Sequence, residues 1–483
     1  MIFSQYASWI YTVLIILYAV TILSCIVVVM SERRNPIKSL AWVMALIFLP
    51  VLGLIIYLFF GRSLKNVHMI SRHSRKRLLG KEGRRIGLVD PNCLIPDNRN
   101  MALLAESVSG FQLRYATNIE IFSYGSDKFS QLKEDLRAAR HSINLQYYIF
   151  ADDELGNEIA DILREKARAG LTVRVLYDHV GSFSTRKRFF ESMREAGVHA
   201  HPFFRVSFPQ FANRVNWRNH RKIVIIDNTV GYIGGMNIAD RYITGLSKGG
   251  KEVWRDTHVR VEGPVVLDML YQFSIDWNFL KAKKDVAPIT IPEMDLQLMP
   301  FRIPAQLISS GPTDRWENIA MLFMRAILSA KKSIYLQTPY FLPTDFLLKA
   351  LQNAALAGVD VRIIIPRKGD SRLLSFASFS YISQCLVAGI KVYLYKPGML
   401  HAKNLMVDDD FCTTGSANFD FRSFEHNFEC NLLLYDSEVT SRMKRQFLLD
   451  AEQSELLTLT KWSGRPRLLR AAESVVRLLA PIL

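Results

Sequence analysis

Six residues recur in one spacing at two places in the chain. His220, Lys222, Asp227, Gly234, Gly235 and Asn237 are matched 181 residues later by His401, Lys403, Asp408, Gly415, Ser416 and Asn418, with every internal interval kept. An isolated His-x-Lys carries no information. A six-position pattern written twice requires a fold with two equivalent halves, and its simplest reading is two halves of one site. The flanking sequence repeats in the same order. Ser142-Ile-Asn-Leu-Gln146 is echoed by Ser333-Ile-Tyr-Leu-Gln337, Ala169-Gly-Leu-Thr-Val-Arg174 by Ala357-Gly-Val-Asp-Val-Arg362, and Ala196-Gly-Val198 by Ala388-Gly-Ile390.

The repeating unit is α/β. Residues 142–150 and 171–177 read as strands, 154–169 has helical apolar spacing, and a helix over 189–196 ends at Gly197 before a strand from Val198. The first motif falls on a hairpin, 220–226 and 230–233, turned by Asp227-Asn228-Thr229. The expected fold is two tandem α/β domains, mixed sheets flanked by helices and related by a pseudo-twofold, over 110–290 and 291–450. The halves differ by insertions. One carries Phe203, Phe204, Phe208 and Phe211 just before the first motif, as loop packing or as an apolar mouth for acyl chains.

Apolar content of 49% alongside 22% charged residues puts part of the chain in lipid. No charge precedes Glu32, and residues 10–30 are almost wholly apolar, long enough to cross a bilayer. A signal peptide is the weaker reading, because no positive segment comes first. After the link Glu32-Arg33-Arg34-Asn35-Pro36-Ile37-Lys38, a second uncharged run covers 39–61 and contains Pro50 and Gly53. The expectation is a transmembrane helical hairpin over 1–66 and a basic linker over 67–109. Most of the net charge of +16 flanks the body: nine Lys/Arg against Glu82 over 62–85, and five against Glu473 over 461–477. That placement favours an anionic membrane surface over nucleic acid, for which a groove through the body would be needed. By the positive-inside rule the larger cluster places the body on the cytoplasmic side of a multi-pass cell-membrane protein, although the link alone points the other way. The last segment, 451–483, reads as a basic amphipathic helix, with Leu468, Leu469, Ala472, Val475, Val476 and Leu479 on one arc and Arg467, Arg470, Glu473, Ser474 and Arg477 on the other. It docks on the body or lies in the membrane interface. The five cysteines form no C-x-x-C pair and no disulfide framework.

On a strand, residues two apart share a face, so each motif offers an imidazole beside a cation, with an Asn amide returned by the glycine-rich turn. Pairing the halves gathers two His, two Lys and two Asn around one point. Such a set of donors suits a phosphate, with one imidazole on each face of the phosphorus. Metal ligation is disfavoured, since a Lys beside each His repels a cation, and no cofactor is expected.

The paired motifs, Asn219-His-Arg-Lys222 through Gly234-Gly-Met-Asn237 and Leu400-His-Ala-Lys403 through Gly415-Ser-Ala-Asn418-Phe-Asp-Phe-Arg-Ser423, resemble those of the phospholipase D superfamily. Together with the N-terminal apolar pair they resemble its bacterial cardiolipin synthases. The resemblance implies metal-free phosphatidyl transfer between two phosphatidylglycerol molecules, giving cardiolipin and glycerol. In that reading His220 is the nucleophile and His401 the acid and base. Lys222, Lys403, Asn237 and Asn418 hold phosphoryl oxygens, while Glu429 and Asp256 orient the imidazoles. Asp227 and Asp408 belong to the motifs but read as holders of the strand turn. Gly235 faces Ser416 across the repeat, so no shared role follows for that position. A membrane phospholipase D-type hydrolase, another phosphatidyltransferase or a nuclease shares the bare motif; a non-catalytic lipid receptor would require one motif to have decayed.

Overall fold

The computed structural model describes residues 2–31, 36–49, 51–61, 64, 65, 69, 78, 85–206, 216–245, 253–281 and 303–478. The chain divides into two compact units, Met1–Leu64 with Val206–Asn216, and Lys65–Arg205 with Trp217–Leu483.

In the first unit Ile2–Ser31 is one helix, and its stretch Trp9–Met30 is long and apolar enough to cross a membrane. The second apolar run differs from the single span expected over 39–61. It is a helix Pro36–Phe48, a break, and a short helix Leu52–Ile56 that runs into a π-helical turn Tyr57–Gly61. The two pieces fold back on each other, with Trp42 edge-on to Tyr57 at 5.4 Å. The physical reason lies at the break. Proline at position 50 has no N–H to give and disfavours helix in the residue before it. Val51 then takes a left-handed φ of 64°, its N–H donating to the Tyr18 hydroxyl. The link residues 32–35 and most of the basic segment 62–85 lie outside the described residues.

The second unit holds two sheets. Strands β1 (Arg114–Ala116), β2 (Asn118–Phe122), β3 (Ser142–Tyr147), β4 (Thr172–Asp178), β5 (His199–Phe203), β6 (Ile223–Ile226), β7 (Val230–Gly234) and β8 (His258–Glu262) come from the first half. The second half supplies β9 (Ile303–Ser310), β10 (Ser333–Gln337), β11 (Asp360–Pro366), β12 (Lys391–Tyr395), β13 (Asn404–Val407), β14 (Phe411–Gly415), β15 (Glu429–Leu434) and β16 (Ser454–Leu456). The first sheet runs β2-β8-β7-β6-β3-β4-β5, and the second β1-β9-β15-β14-β13-β10-β11-β12-β16. Apart from the added edge strands β1 and β16 the orders are the same, so the duplication read in sequence is a duplication of topology. In each sheet three strands are parallel (β3, β4, β5 and β10, β11, β12) and the motif hairpin adds antiparallel strands beside them. A shared core of Ile223, Ile225, Ile233 and Val259 with Met406, Cys412, Cys430 and Leu432 joins the halves, which explains why β6 and β13 are apolar on both faces.

Three expectations change. The end of the presumed linker is helix Pro96–Ser109, whose Met101, Ala102 and Ala105 pack in the second half's core, and β1 pairs with β9 rather than with the first sheet. Phe203 and Phe204 form no mouth: both are buried against Phe279 and Phe428, while Phe208 and Phe211 lie outside the described residues. The C-terminal helix Arg467–Arg477 docks on helix Arg372–Val387, and Glu473, expected on the polar arc, is buried in a two-point ion pair with Arg465. Leu468, Val475 and Leu478 stay exposed on that helix, and Leu479 falls outside the described residues.

Candidate active site

Each histidine stands on extended backbone just before its hairpin strand, and that lead-in pairs with the other half. The His220 N–H donates to the Phe428 carbonyl at 2.9 Å and the Phe428 N–H to the Arg218 carbonyl at 2.8 Å. Reciprocally, the Arg255 N–H donates to the Met399 carbonyl at 2.9 Å and the His401 N–H to the Arg255 carbonyl at 2.7 Å. These bridges sit one residue before Glu429 and one before Asp256. The acids are therefore exchanged between halves. His220 Nδ1 lies 3.0 Å from both oxygens of Glu429, and His401 Nδ1 lies 2.6 Å from Asp256 Oδ2. A carboxylate only accepts, so each Nδ1 carries the hydrogen and each Nε2 is left for chemistry.

Burial, opposed by Glu429 and reinforced by Lys222, lowers the His220 pKa. His401 is pushed down to about 4, by burial first and then by Lys403, against the pull of Asp256. Both imidazoles are thus neutral at neutral pH in the unliganded site. Glu429, which burial alone would raise, is held below its usual range by His220, Lys222 and the Ser416 hydroxyl. Burial lowers Lys222 to about 7 and lowers Lys403 as well. An anion placed between two such lysines would raise both.

The remaining expected residues separate into two groups. Lys222 and Lys403 each donate to the carbonyl of their own histidine, and Lys403 also comes within 3.0 Å of His401 Nδ1. The Asn237 amide donates to the Tyr242 hydroxyl, the Asn418 amide donates to Asp420, and the Asn418 side-chain oxygen has no hydrogen-bond partner among the described residues. The Ser416 hydroxyl donates to Glu429, whereas Gly235 lies so close to Asp256 that a Cβ there would fall 2.2 Å from Oδ1. Asp227 and Asp408 are not at the site. Asp227 accepts the N–H groups of Arg140, His141 and Ser142, and Asp408 those of Lys331, Lys332 and Ser333, each at a left-handed φ just under 50°. Although part of the paired motifs, they hold turns that tie each hairpin to β3 or β10, because three backbone donors use up each carboxylate.

Sequence reasoning missed the aromatic lining. Tyr148 stands edge-on to His220 at 5.0 Å, Trp254 lies 5.1 Å from His401, and the Tyr242 hydroxyl is 3.3 Å from His401 Nδ1. It also missed buried pairs behind the site, Arg218–Asp178, Arg221–Asp276 and Arg255–Asp450. A signal existed for two of them. The echoed Gln146 and Gln337 donate to Asp276 and Asp450. Among the described residues, no group of three or more His, Cys, Asp or Glu is placed to hold a metal ion.

Comparison with known proteins bears on the family and the fold. Residues 132–248 and 323–450 match the family model described as cardiolipin synthase, PLD-like domain, and residues 9–62 match the phospholipase D-nuclease N-terminal model. The chain is 39% identical over 475 residues to the major cardiolipin synthase of Bacillus subtilis, covering 96% of this chain and 98% of that protein. It is 37% identical to the cardiolipin synthase of Halalkalibacterium halodurans, over 99% and 96%. The fold is similar to the crystal structure of phosphatidylserine synthase from Haemophilus influenzae, with a TM-score of 0.59 and 15% identity over 80% of this chain and 99% of that one.

Proposed function

Because the chain belongs to the phospholipase D-like cardiolipin synthases, a family of phosphatidyltransferases acting on phospholipids, we propose that its two crossed imidazole–carboxylate pairs run a ping-pong transfer between two phosphatidylglycerol molecules. His220 Nε2 attacks the phosphodiester phosphorus, forming a P–N bond while the P–O bond to the headgroup glycerol breaks. His401 gives that oxygen a proton from Nε2 and glycerol leaves. The terminal hydroxyl of a second phosphatidylglycerol then enters, His401 takes its proton, the new P–O bond forms and the P–N bond breaks, leaving cardiolipin. Lys222, Lys403, Asn237 and Asn418 stabilise the phosphoryl oxygens as charge develops. The substrate's own negative charge opposes the lysine cations and raises His401, so binding delivers the proton that the first step needs.

The observation that carries this reading is the exchange of acids: each histidine is oriented by the opposite half, so neither half is a site alone. Domains over 110–290 and 291–450 are its units, with β1 of the first paired into the sheet of the second, and the N-terminal apolar segment associates with the membrane. We place the catalytic domains on the cytoplasmic side of the cell membrane, the side that the basic segment after the second apolar run selects. The test is incubation of the full chain with phosphatidylglycerol vesicles. Cardiolipin and free glycerol in equal amounts are expected; phosphatidic acid as the main product would instead make the protein a hydrolase.

A further inference from the structure

In each half the central parallel strand ends in a loop one side chain away from that half's histidine. In the first, Asp178 closes β4 and accepts the Asn219 N–H at 2.9 Å, beside His220. The loop 179–186 then packs on Tyr148, the ring that stands edge-on to His220. The Ser182 hydroxyl donates to the Tyr148 carbonyl at 3.1 Å, and Gly181 approaches so closely that a Cβ would fall 2.6 Å from the ring. In the second half β11 ends at Pro366, and in the loop that follows Asp370 accepts from the Tyr340 hydroxyl at 2.7 Å. The negative charge of Asp370 reaches His401 and Lys403. The two loops follow equivalent strands and flank the two ends of one site.

Their outward faces serve neither the core nor the chemistry. Phe183, at the tip of the first loop, is 81% exposed, and Arg186, Lys187 and Arg188 follow it on the surface. The second loop presents Arg367, Lys368 and Arg372 with Leu373, 41% exposed. Arg186, Lys187 and Arg367 have carboxylate neighbours in Asp152, Glu191 and Glu455; Arg188, Lys368 and Arg372 form no ion pair among the described residues. Arg186 and Arg188 also line a groove of about 430 Å³, together with Asn157, Arg164, Phe189 and Ser192. An exposed aromatic ring among cations is unfavourable in water and favourable at the boundary of anionic headgroups and acyl chains.

We propose that these two loops are a docking rim that seats the mouth of the site in the headgroup layer of an anionic bilayer, with Phe183 entering the acyl boundary and the six cations lying against lipid phosphates. The proposal rests on the reading of bilayer phospholipid as substrate. It adds a contact surface on the catalytic body, separate from the N-terminal apolar segment. Substrate then reaches the histidines along the bilayer plane without passing through water.

The test uses the full chain with Cys25→Ser and Cys93→Ser, carrying Phe183→Cys or, as a control, Leu356→Cys, labelled with an environment-sensitive fluorophore in liposomes. Leu356 is 74% exposed and ends the helix Asp345–Leu356 that leads into the start of β11, the end of that strand away from the loop after Pro366, so it lies away from the rim. In phosphatidylglycerol-rich liposomes the label at 183 is expected to shift to the blue and to be quenched roughly twofold or more by lipid-borne quenchers. Little change is expected at 356. Replacing Arg186, Lys187 and Arg188 by Gln should reverse the shift. A label at 183 that stays as water-exposed as the control overturns the proposal, as does a shift that survives loss of the cations. The same liposomes report product: cardiolipin formed without quenching at 183 sinks the rim alone, and quenching without cardiolipin sinks the assigned activity alone.

Discussion

His220 and His401 occupy the same place in their repeats but not the same surroundings. Glu429, the longer acid, reaches His220 while also accepting from the Ser416 hydroxyl and from the Asn427 amide at 3.1 Å. Every oxygen of that carboxylate is engaged. Asp256, the shorter acid, reaches His401 because Gly235 lets the backbone close in, and its other partner is the Thr257 N–H at 2.7 Å. One imidazole is held by a side-chain network, the other by backbone proximity with Trp254 and Tyr242 beside it. Duplication supplied two equal histidines; the positions that differ, Ser416 against Gly235 and Asn427 against Trp254, are the ones that touch the acids or the imidazoles. The difference suits unequal duties: a nucleophile kept neutral beside a fixed anion, and an acid–base group whose proton comes and goes.

The comparison breaks most sharply at the histidines. Replacing either His220 or His401 by Ala is expected to lower cardiolipin formation by roughly 10³-fold or more, because residues acting as one unit fail together. The two variants should separate in an alkaline-quench experiment that traps phosphatidyl-histidine: none forms in His220→Ala, and a trace accumulates slowly in His401→Ala. Substantial turnover in either variant would end the one-site model. Next come the acids. Glu429→Gln and Asp256→Asn should each cost about 10²–10⁴-fold, since an amide N–H donates to Nδ1 and holds the ring in the wrong tautomer. Rapid quench should show Glu429→Gln slowing formation of the phosphoenzyme, and Asp256→Asn slowing both its formation and its breakdown. Equal effects of both variants on both steps would erase the proposed division of labour.

How much of this was legible beforehand follows from what repeats. Gln146 and Gln337, the two His-x-Lys pairs and the two Asn residues announced themselves by recurring at fixed spacing, and with them came the α/β class and the pseudo-twofold arrangement. Glu429 and Asp256 were reachable only through family resemblance. Nothing in their spacing says that each serves the opposite half, which depends on the Asn219–Phe428 and Arg255–Leu400 bridges between segments about 150 to 210 residues apart. Asp227 and Asp408 repeat as faithfully as the histidines yet hold turns, so recurrence marks constraint without saying which kind. The fold-back of the second apolar run was missed because hydropathy sums along the chain and does not register that a proline inside the run removes a backbone donor.

A finer cut between the halves comes at the differing pair itself. Gly235→Ala places a methyl against Asp256, which must move away from His401, and a displacement of that size is expected to cost about 10²-fold in kcat. Ser416→Ala only removes one hydrogen bond from a charged acceptor, about 1.5–3 kcal/mol, or roughly tenfold to a hundredfold. The ordering is the content of the prediction. If Ser416→Ala costs more, the Glu429 network rather than backbone approach is the tighter constraint, and the contrast drawn between the halves reverses.

The smallest effect concerns stability against pH. His401 has a folded-state pKa of about 4 against an ordinary 6.5, lowered by burial and by Lys403. The unfolded chain therefore binds a proton more readily than the folded one. The sign follows: stability is fully present above about pH 6.5 and is lost as pH falls toward 4, by about 2 kcal/mol at pH 5 for this group. Glu429 works in the same direction. Its carboxyl is held below the usual range, so the stabilisation it gives is present above the unfolded pKa and fades only at more acidic pH. His401→Gln should remove the histidine part alone, flattening the fall in Tm between about pH 7 and pH 5 by a few degrees or less for a chain of this size. His220→Gln should flatten it less, because Glu429 already offsets more of the burial around that ring. Thermal unfolding of the purified full chain in detergent at the two pH values measures both slopes. An acid slope in His401→Gln as steep as in the parent would mean that the buried imidazole is not where the acid sensitivity resides, and the electrostatic contrast between the two histidines would lose its support.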